Sequence, residues 1–233
     1  MIRIYPKTQL GHANLGWLDS RFHFSFADYH NPARMGFGAL RVINDDLIAA
    51  GTGFGMHPHR DMEIITFVRR GSISHRDSMG NDGRTVAGDV QVMSAGTGVM
   101  HSEHNRDSET TSMFQIWIHP RERGVKPRWE SATFNNRQAT DELQLLVSGR
   151  PEDADTDALY IHQDASISGG QLAEGQTLHQ KVRDQAYVVV SRGEVELEGQ
   201  VLREGDGAEV TDVSTVQLKA LTDAEVILID VPA

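Results

Sequence analysis

The sequence predicts an all-β protein folded as two tandem barrels. Three observations carry that prediction. Apolar and polar residues alternate in short runs, turn residues punctuate the runs at regular intervals, and the second half of the chain restates the order of the first. The 233 residues suffice for one large β domain or for two domains of about 100 residues each.

Taken in order, the opening segment is rich in Gly, Asn and aromatics and carries His12, His23 and His30 without a clear period. Glu63 to Val68 is a β-branched and aromatic run that stops at Gly71, as a strand does. Gly71 to His75 alternates, and Ser78 to Gly83 is a turn cluster. Ala87-Gly88-Asp89 marks another turn before Val90 to Met93, and Phe114 to Ile118 reads as a further strand. Helix signals are weak; Ala139 to Leu143 fits one short turn. The charged, Pro-containing stretch from Pro120 to about Asn136 reads as a connection, which predicts domains at 1–132 and 133–233.

The repeat supports this division. Met56 to Gly71 aligns without a gap on Leu178 to Gly193, matching His57 to His179, Val68 to Val190, Arg70 to Arg192 and Gly71 to Gly193. Gly88-Asp89 recurs as Gly205-Asp206. In this alignment Lys181 replaces His59, and Leu218 and Ala220 stand opposite His101 and Glu103. One site, in the N-terminal half, is therefore expected.

Composition narrows the function. The absence of cysteine removes disulfides, thiolate nucleophiles and thiolate zinc sites, and fits a reducing compartment. A net charge of −11 argues against direct nucleic-acid binding, which needs clustered Lys and Arg. No run approaches the roughly 18 apolar residues of a membrane span, and Met1 to Pro6 lacks the apolar core of a signal peptide. A cytoplasmic location is expected.

The chemistry concentrates in two short pairs, His57-Pro58-His59 and His101-Ser102-Glu103. Strand side chains alternate faces, so each pair aims two groups the same way. Three imidazoles and one carboxylate suit Fe(II), Zn, Mn, Co, Ni or Cu. On a six-coordinate metal, four protein ligands leave two open positions, an arrangement made for catalysis. Glu63 shares parity with His57 and His59, so parity alone does not choose between it and Glu103. His104 has the opposite parity and is set aside. His75 aligns with Leu197 on an apolar face and is expected inside the barrel. His119, His162 and His179 stand alone.

Gly51-x5-His57-x-His59-x3-Glu63, followed by Gly88-x5-Ser94-x-Gly96 and His101, resembles the two motifs of a cupin. Ser94 stands where the general pattern has Pro, and His101 comes two residues late. Both departures, with His57 to Glu63, Asp77-Ser78-Met79-Gly80 and Ser94 to Glu103, resemble the pirin family. Gly11 to Asn14, Phe24 to Ala27 and Gly36 to Asp46 fit it too; the likeness is specific over about residues 10–130. It implies a bicupin of two jelly-roll barrels with one metal, most simply Fe(II), held by His57, His59, His101 and Glu103, with Glu63 not coordinating. It further implies a quercetin 2,3-dioxygenase, an oxidoreductase acting on a flavonol with dioxygen. Beside a metal, the Glu103 carboxylate is expected to serve also as the catalytic proton acceptor. The family's second implication is a metal- or redox-sensing protein that binds a transcription regulator. Phe37, Met56 and Met113 are expected to wall the substrate site.

Overall fold

The computed structural model describes residues 1–134 and 138–233, in which the regular elements are β-strands apart from two short 3-10 turns. Two units result: Gly11–Asn135 with Leu159–Gln163, and Met1–Leu10 with Asn136–Ala158 and Asp164–Ala233.

The first unit pairs a seven-stranded antiparallel sheet with a four-stranded one. The larger runs Arg128–Ala132, Val90–Ser94, Glu63–Arg70, Thr111–Ile118, Leu40–Ile48, Leu18–Phe22, Gly11–Asn14. The smaller runs Gly53–His59, Val99–His104, Ser72–Asp77, Asp82–Val86. Ile48, Val68, Ile73 and Met113 pack into one core cluster, and Ile64, Met93, Ala95 and Val99 into another. Each such side chain fully withdrawn from water stabilises the fold by about 1.5–3 kcal/mol for the larger aliphatics.

The second unit repeats this order. Its larger sheet runs Ile2–Tyr5, Gly207–Val210, Gln185–Arg192, Ala224–Val231, Ser166–Leu172, Gln144–Ser148. Its smaller one runs Thr177–Lys181, Thr215–Ala220, Glu194–Leu197, Gln200–Arg203. The turn glycines correspond as well: Gly71 and Gly193 have φ of +76° and +77°, which a side chain at either position would strain.

The structure departs from the sequence reading at four places. Ile2–Tyr5 pairs with Gly207–Val210 and so belongs with the C-terminal unit, not with a domain spanning 1–132. Arg128–Ala132, read as connection, pairs along Val90–Ser94; its charged residues sit on a half-exposed edge strand. Part of that expected connection, residues 135–137, lies outside the described residues. Ala139 to Leu143 forms no helix; Ala139 and Leu143 are buried in the C-terminal core.

The fourth departure is one of register. Leu178 and Gln180 face inward while His179 and Lys181 face out, and Leu178 pairs with Leu218 as His57 pairs with His101. The counterparts of the two histidines are therefore Leu178 and Gln180, one residue from the gap-free alignment. Three residues separate His59 from Glu63 and four separate its counterpart Gln180 from Gln185, so the second copy carries one extra residue there. Leu178, Leu218 and Ala220 belong to an apolar core, so the C-terminal interior holds hydrocarbon where the N-terminal one holds imidazole.

Candidate metal centre

Two neighbouring strands build the centre. Val99–His104 runs antiparallel to Gly53–His59 with His101 opposite His57 and Val99 opposite His59. Burial alternates along it: Val99, His101 and Glu103 are buried, whereas Met100 is exposed. The three imidazoles converge, with ring centroids 4.8 Å apart for His57–His59, 4.5 Å for His57–His101 and 4.9 Å for His59–His101. One nitrogen from each lies within 4.8 Å of the others.

Between His101 and Glu103 the register slips, so that Glu103 stands opposite Phe54. The extra residue in the His57 strand is a bulge, and it turns Phe54 onto the same face as His57. Gly53 makes this close approach possible. A Cβ there would lie 2.2 Å from the Glu103 carbonyl oxygen and 2.6 Å from the His104 Cα. Gly53→Ala is expected to destabilise the protein by about 1–3 kcal/mol, as overpacking does, and to weaken metal binding; urea unfolding and a metal titration would show both.

Glu103 is buried and heavily bonded. Its Oε1 accepts from Gln91 Nε2 at 2.7 Å and from Thr66 Oγ1 at 3.2 Å, and its Oε2 accepts from Gln115 Nε2 at 2.9 Å. Each carboxylate oxygen has two acceptor sites. One site on Oε2 is left for a metal ion or a proton.

Two of the three imidazoles are held neutral, and the third has one nitrogen engaged. His57 Nδ1 lies 2.7 Å from the Gly55 carbonyl, which can only accept, so Nδ1 carries the proton and Nε2 keeps its lone pair. His101 Nε2 is buried with no hydrogen-bond partner among the described residues. Such an orphan is costly unless something binds it. Burial holds the His59 imidazole down at about pKa 4, helped by His101 and His57 beside it. Burial likewise holds His101 at about 3, helped by His57 and His75. Both are neutral, as metal ligands must be. The residues present thus fit a divalent cation.

The centre opens into a cavity of about 670 Å³. Trp17, Phe22, Phe26, Tyr29, Phe54 and Trp117 give it aromatic walls, and the Trp117 ring meets His59 edge-on at 5.0 Å. Ser20, Asn44, Asp46 and Gln115 supply polar groups. Asn44 and Gln115 are directly opposed on paired strands, and their side-chain oxygens are buried without partners among the described residues. None of the expected walls lines this space. Met56 is 54% exposed, Met113 is fully buried in the core, and Phe37 sits in a bridge to Leu40.

Asp46 is the unforeseen acid. Burial pushes its pKa up to about 7; the Ser20 hydroxyl opposes this, and the Asp45 and Glu103 charges add to it. The folded chain therefore holds a proton on Asp46 that the unfolded chain has lost, so the contribution of this one group to stability falls as pH rises from about 4 to about 7 and is flat above. In chelator-treated protein, Asp46→Asn is expected to relieve this. Its stabilisation relative to wild type should grow across that window towards an upper bound of about 4 kcal/mol, readable as Tm against pH.

Comparison with known proteins places the chain in a family. The Pirin family model matches residues 4–118, and the model for a quercetinase C-terminal cupin domain matches 145–231. The chain belongs to the pirin family. It is 44% identical to the quercetin 2,3-dioxygenase of Escherichia coli K12, over 100% of this chain and 99% of that protein. It is 49% identical to a pirin-like protein of Caulobacter vibrioides, over 99% of each. The crystal structure of a bacterial pirin from Escherichia coli in complex with nickel(II) superposes with a TM-score of 0.92 at 42% identity, covering 100% of this chain and 99% of that one. The architecture is thus that of a pirin bicupin.

In this pirin the Ser94 departure has a visible consequence. Ser94 Oγ donates to Glu63 Oε2 at 2.7 Å. Glu63 is absent from the cavity lining and from the clusters that could hold a metal. Burial raises its pKa, with the Ser94 hydrogen bond opposing. His104 packs beside Gly53 and lies outside those clusters as well.

Proposed function

We propose that this pirin is a metal-dependent dioxygenase that cleaves the C2–C3 bond of a flavonol such as quercetin. In this reading His57, His59, His101 and Glu103 hold one divalent cation, most simply Fe(II), with Ni, Co, Mn, Cu or Zn as substitutes. The observation that carries the reading is an aromatic cavity opening directly onto three converging imidazoles. When bound, the cation supplies Lewis-acid activation of the flavonol 3-hydroxyl and access to dioxygen chemistry.

The chain's own residues do the rest. Trp17, Phe26, Phe54 and Trp117 stack against flat rings and keep out water. The unpartnered oxygens of Asn44 and Gln115 accept from ring hydroxyls, which a polyphenol provides and a plain hydrocarbon does not. The open site on Glu103 Oε2 takes the proton of the 3-hydroxyl. Dioxygen then adds to C2 and C4; its O–O bond and the C2–C3 and C3–C4 bonds break, one oxygen stays on each of C2 and C4 in the ring-opened ester acid, and C3 leaves with its own oxygen as carbon monoxide while the proton held by Glu103 returns to the product carboxylate. A substrate-sized cavity supports this reading over that of a regulator-binding protein, which would need only an exposed surface.

The test is oxygen uptake and carbon monoxide release on adding quercetin to protein loaded with each of these metals in turn. Stoichiometric uptake with at least one metal is expected. No uptake with any of them would contradict the proposal.

A further inference from the structure

We propose that His75 and Asp77 are positioning residues, which fix the tautomer of His101 and strengthen it as a metal ligand. This role rests on the metal-centre reading and extends it to residues outside the ligand set.

The strand Ser72–Asp77 lies on the other side of Val99–His104, with Asp77 opposite His101 and His75 opposite Glu103. His75 is fully buried, its ring stacked on Trp129 at 4.9 Å and 10°. Its Nε2 lies 2.9 Å from Asp77 Oδ2. A carboxylate held by other donors accepts, so the His75 proton is on Nε2 and its Nδ1 presents a lone pair. That lone pair lies 3.4 Å from His101 Nδ1. The pair is satisfied when His101 Nδ1–H donates to His75. His101 Nε2 is then the bare nitrogen, and it is the buried atom with no partner among the described residues. One assignment of protons satisfies every contact in the chain and leaves one nitrogen for a cation.

Asp77 is itself held in place. Its Oδ1 accepts from the backbone N–H of Met79 at 2.9 Å and of Asn81 at 3.1 Å, and its Oδ2 accepts from Asn81 Nδ2 at 2.8 Å. The carboxylate therefore cannot swing away from His75. The same bonds decide between two possible clusters. His75, His101 and Glu103 also have donor atoms within 4.8 Å of one another, but both His75 nitrogens are engaged, so the cation falls to His57, His59 and His101. Carboxylate–imidazole partners of this kind raise ligand basicity, and their loss weakens metal binding about 10–100-fold.

The test compares wild type with Asp77→Asn, which keeps the acceptor on the turn but removes the charge, and with His75→Phe, which keeps the ring on Trp129 but removes the acceptor. The Ni(II) Kd is measured by chelator competition, and the visible bands of the Co(II)-loaded protein are recorded. Weakening of about 10–100-fold with shifted Co(II) bands, in variants that unfold cooperatively, is expected. Affinity within twofold of wild type and unshifted bands in both would overturn the role. Nitrogen-15 NMR of the wild-type imidazoles needs no variant: protonation at His75 Nε2 and His101 Nδ1 supports the assignment, and the reverse tautomer at either refutes it. If the wild type binds neither Ni(II) nor Co(II), the metal-centre reading fails and this role with it. Tight wild-type binding with unaffected variants sinks the role alone.

Discussion

His101→Ala is expected to weaken metal binding by more than about 100-fold, since losing even an outer partner of a ligand costs about 10–100-fold, and to abolish turnover of quercetin. The side chain is 2% exposed and faces His57 and His59 across 4.5 and 4.9 Å. Its Nε2 has no hydrogen-bond partner among the described residues, so the substitution removes a polar burden along with some packing. Metal-free protein should therefore keep most of its stability while the loaded protein loses the gain that ligand binding confers. His179→Ala is the control: that imidazole is exposed in the C-terminal unit, and neither affinity nor turnover should change. Equal loss in the two variants would be incompatible with a single N-terminal centre.

Glu103→Gln is expected to lower kcat by about 10²–10⁴-fold, the usual contribution of a positioned base, measured as oxygen uptake at saturating metal. Three donors converge on this carboxylate, from Gln91, Thr66 and Gln115. An amide cannot accept from all of them with the same geometry. Its NH₂ takes the place of one oxygen; at the Oε2 position the Gln115 amide must turn over to present its unpartnered oxygen. A variant that keeps full kcat would remove Glu103 from proton transfer, whatever its part in holding the metal.

The convergence of His57, His59 and His101 is legible because strand alternation is local. His57-x-His59 and His101-x-Glu103 needed only a period of two, and Val99 to His104 obeys it in the fold. The repeat was legible in the same way, through Gly71 and Gly193 and the Gly-Asp turns. What escaped depended on non-local pairing. The bulge that brings Phe54 to the His57 face has no period to announce it. Trp17, Phe22, Phe26 and Tyr29 come from an opening segment without alternation, and Ile2–Tyr5 finds its partner some 200 residues away in sequence. The single-residue difference before Gln185 reversed His179 and Lys181, because one added residue turns every side chain of a strand to the other face. Asp46 carries no signal in the sequence, because an acid beside another acid, Asp45, matches a surface pattern, whereas both lie buried in their strand.

The most direct test of the account is metal stoichiometry. Chelator-stripped protein would be equilibrated with Fe(II) anaerobically and with Ni(II), dialysed, and assayed for metal per chain, in wild type, His101→Ala and His179→Ala. One metal per chain in wild type and His179→Ala, with almost none in His101→Ala, is the predicted result. Two per chain, none, or one that survives in His101→Ala would contradict a single centre built on His57, His59, His101 and Glu103.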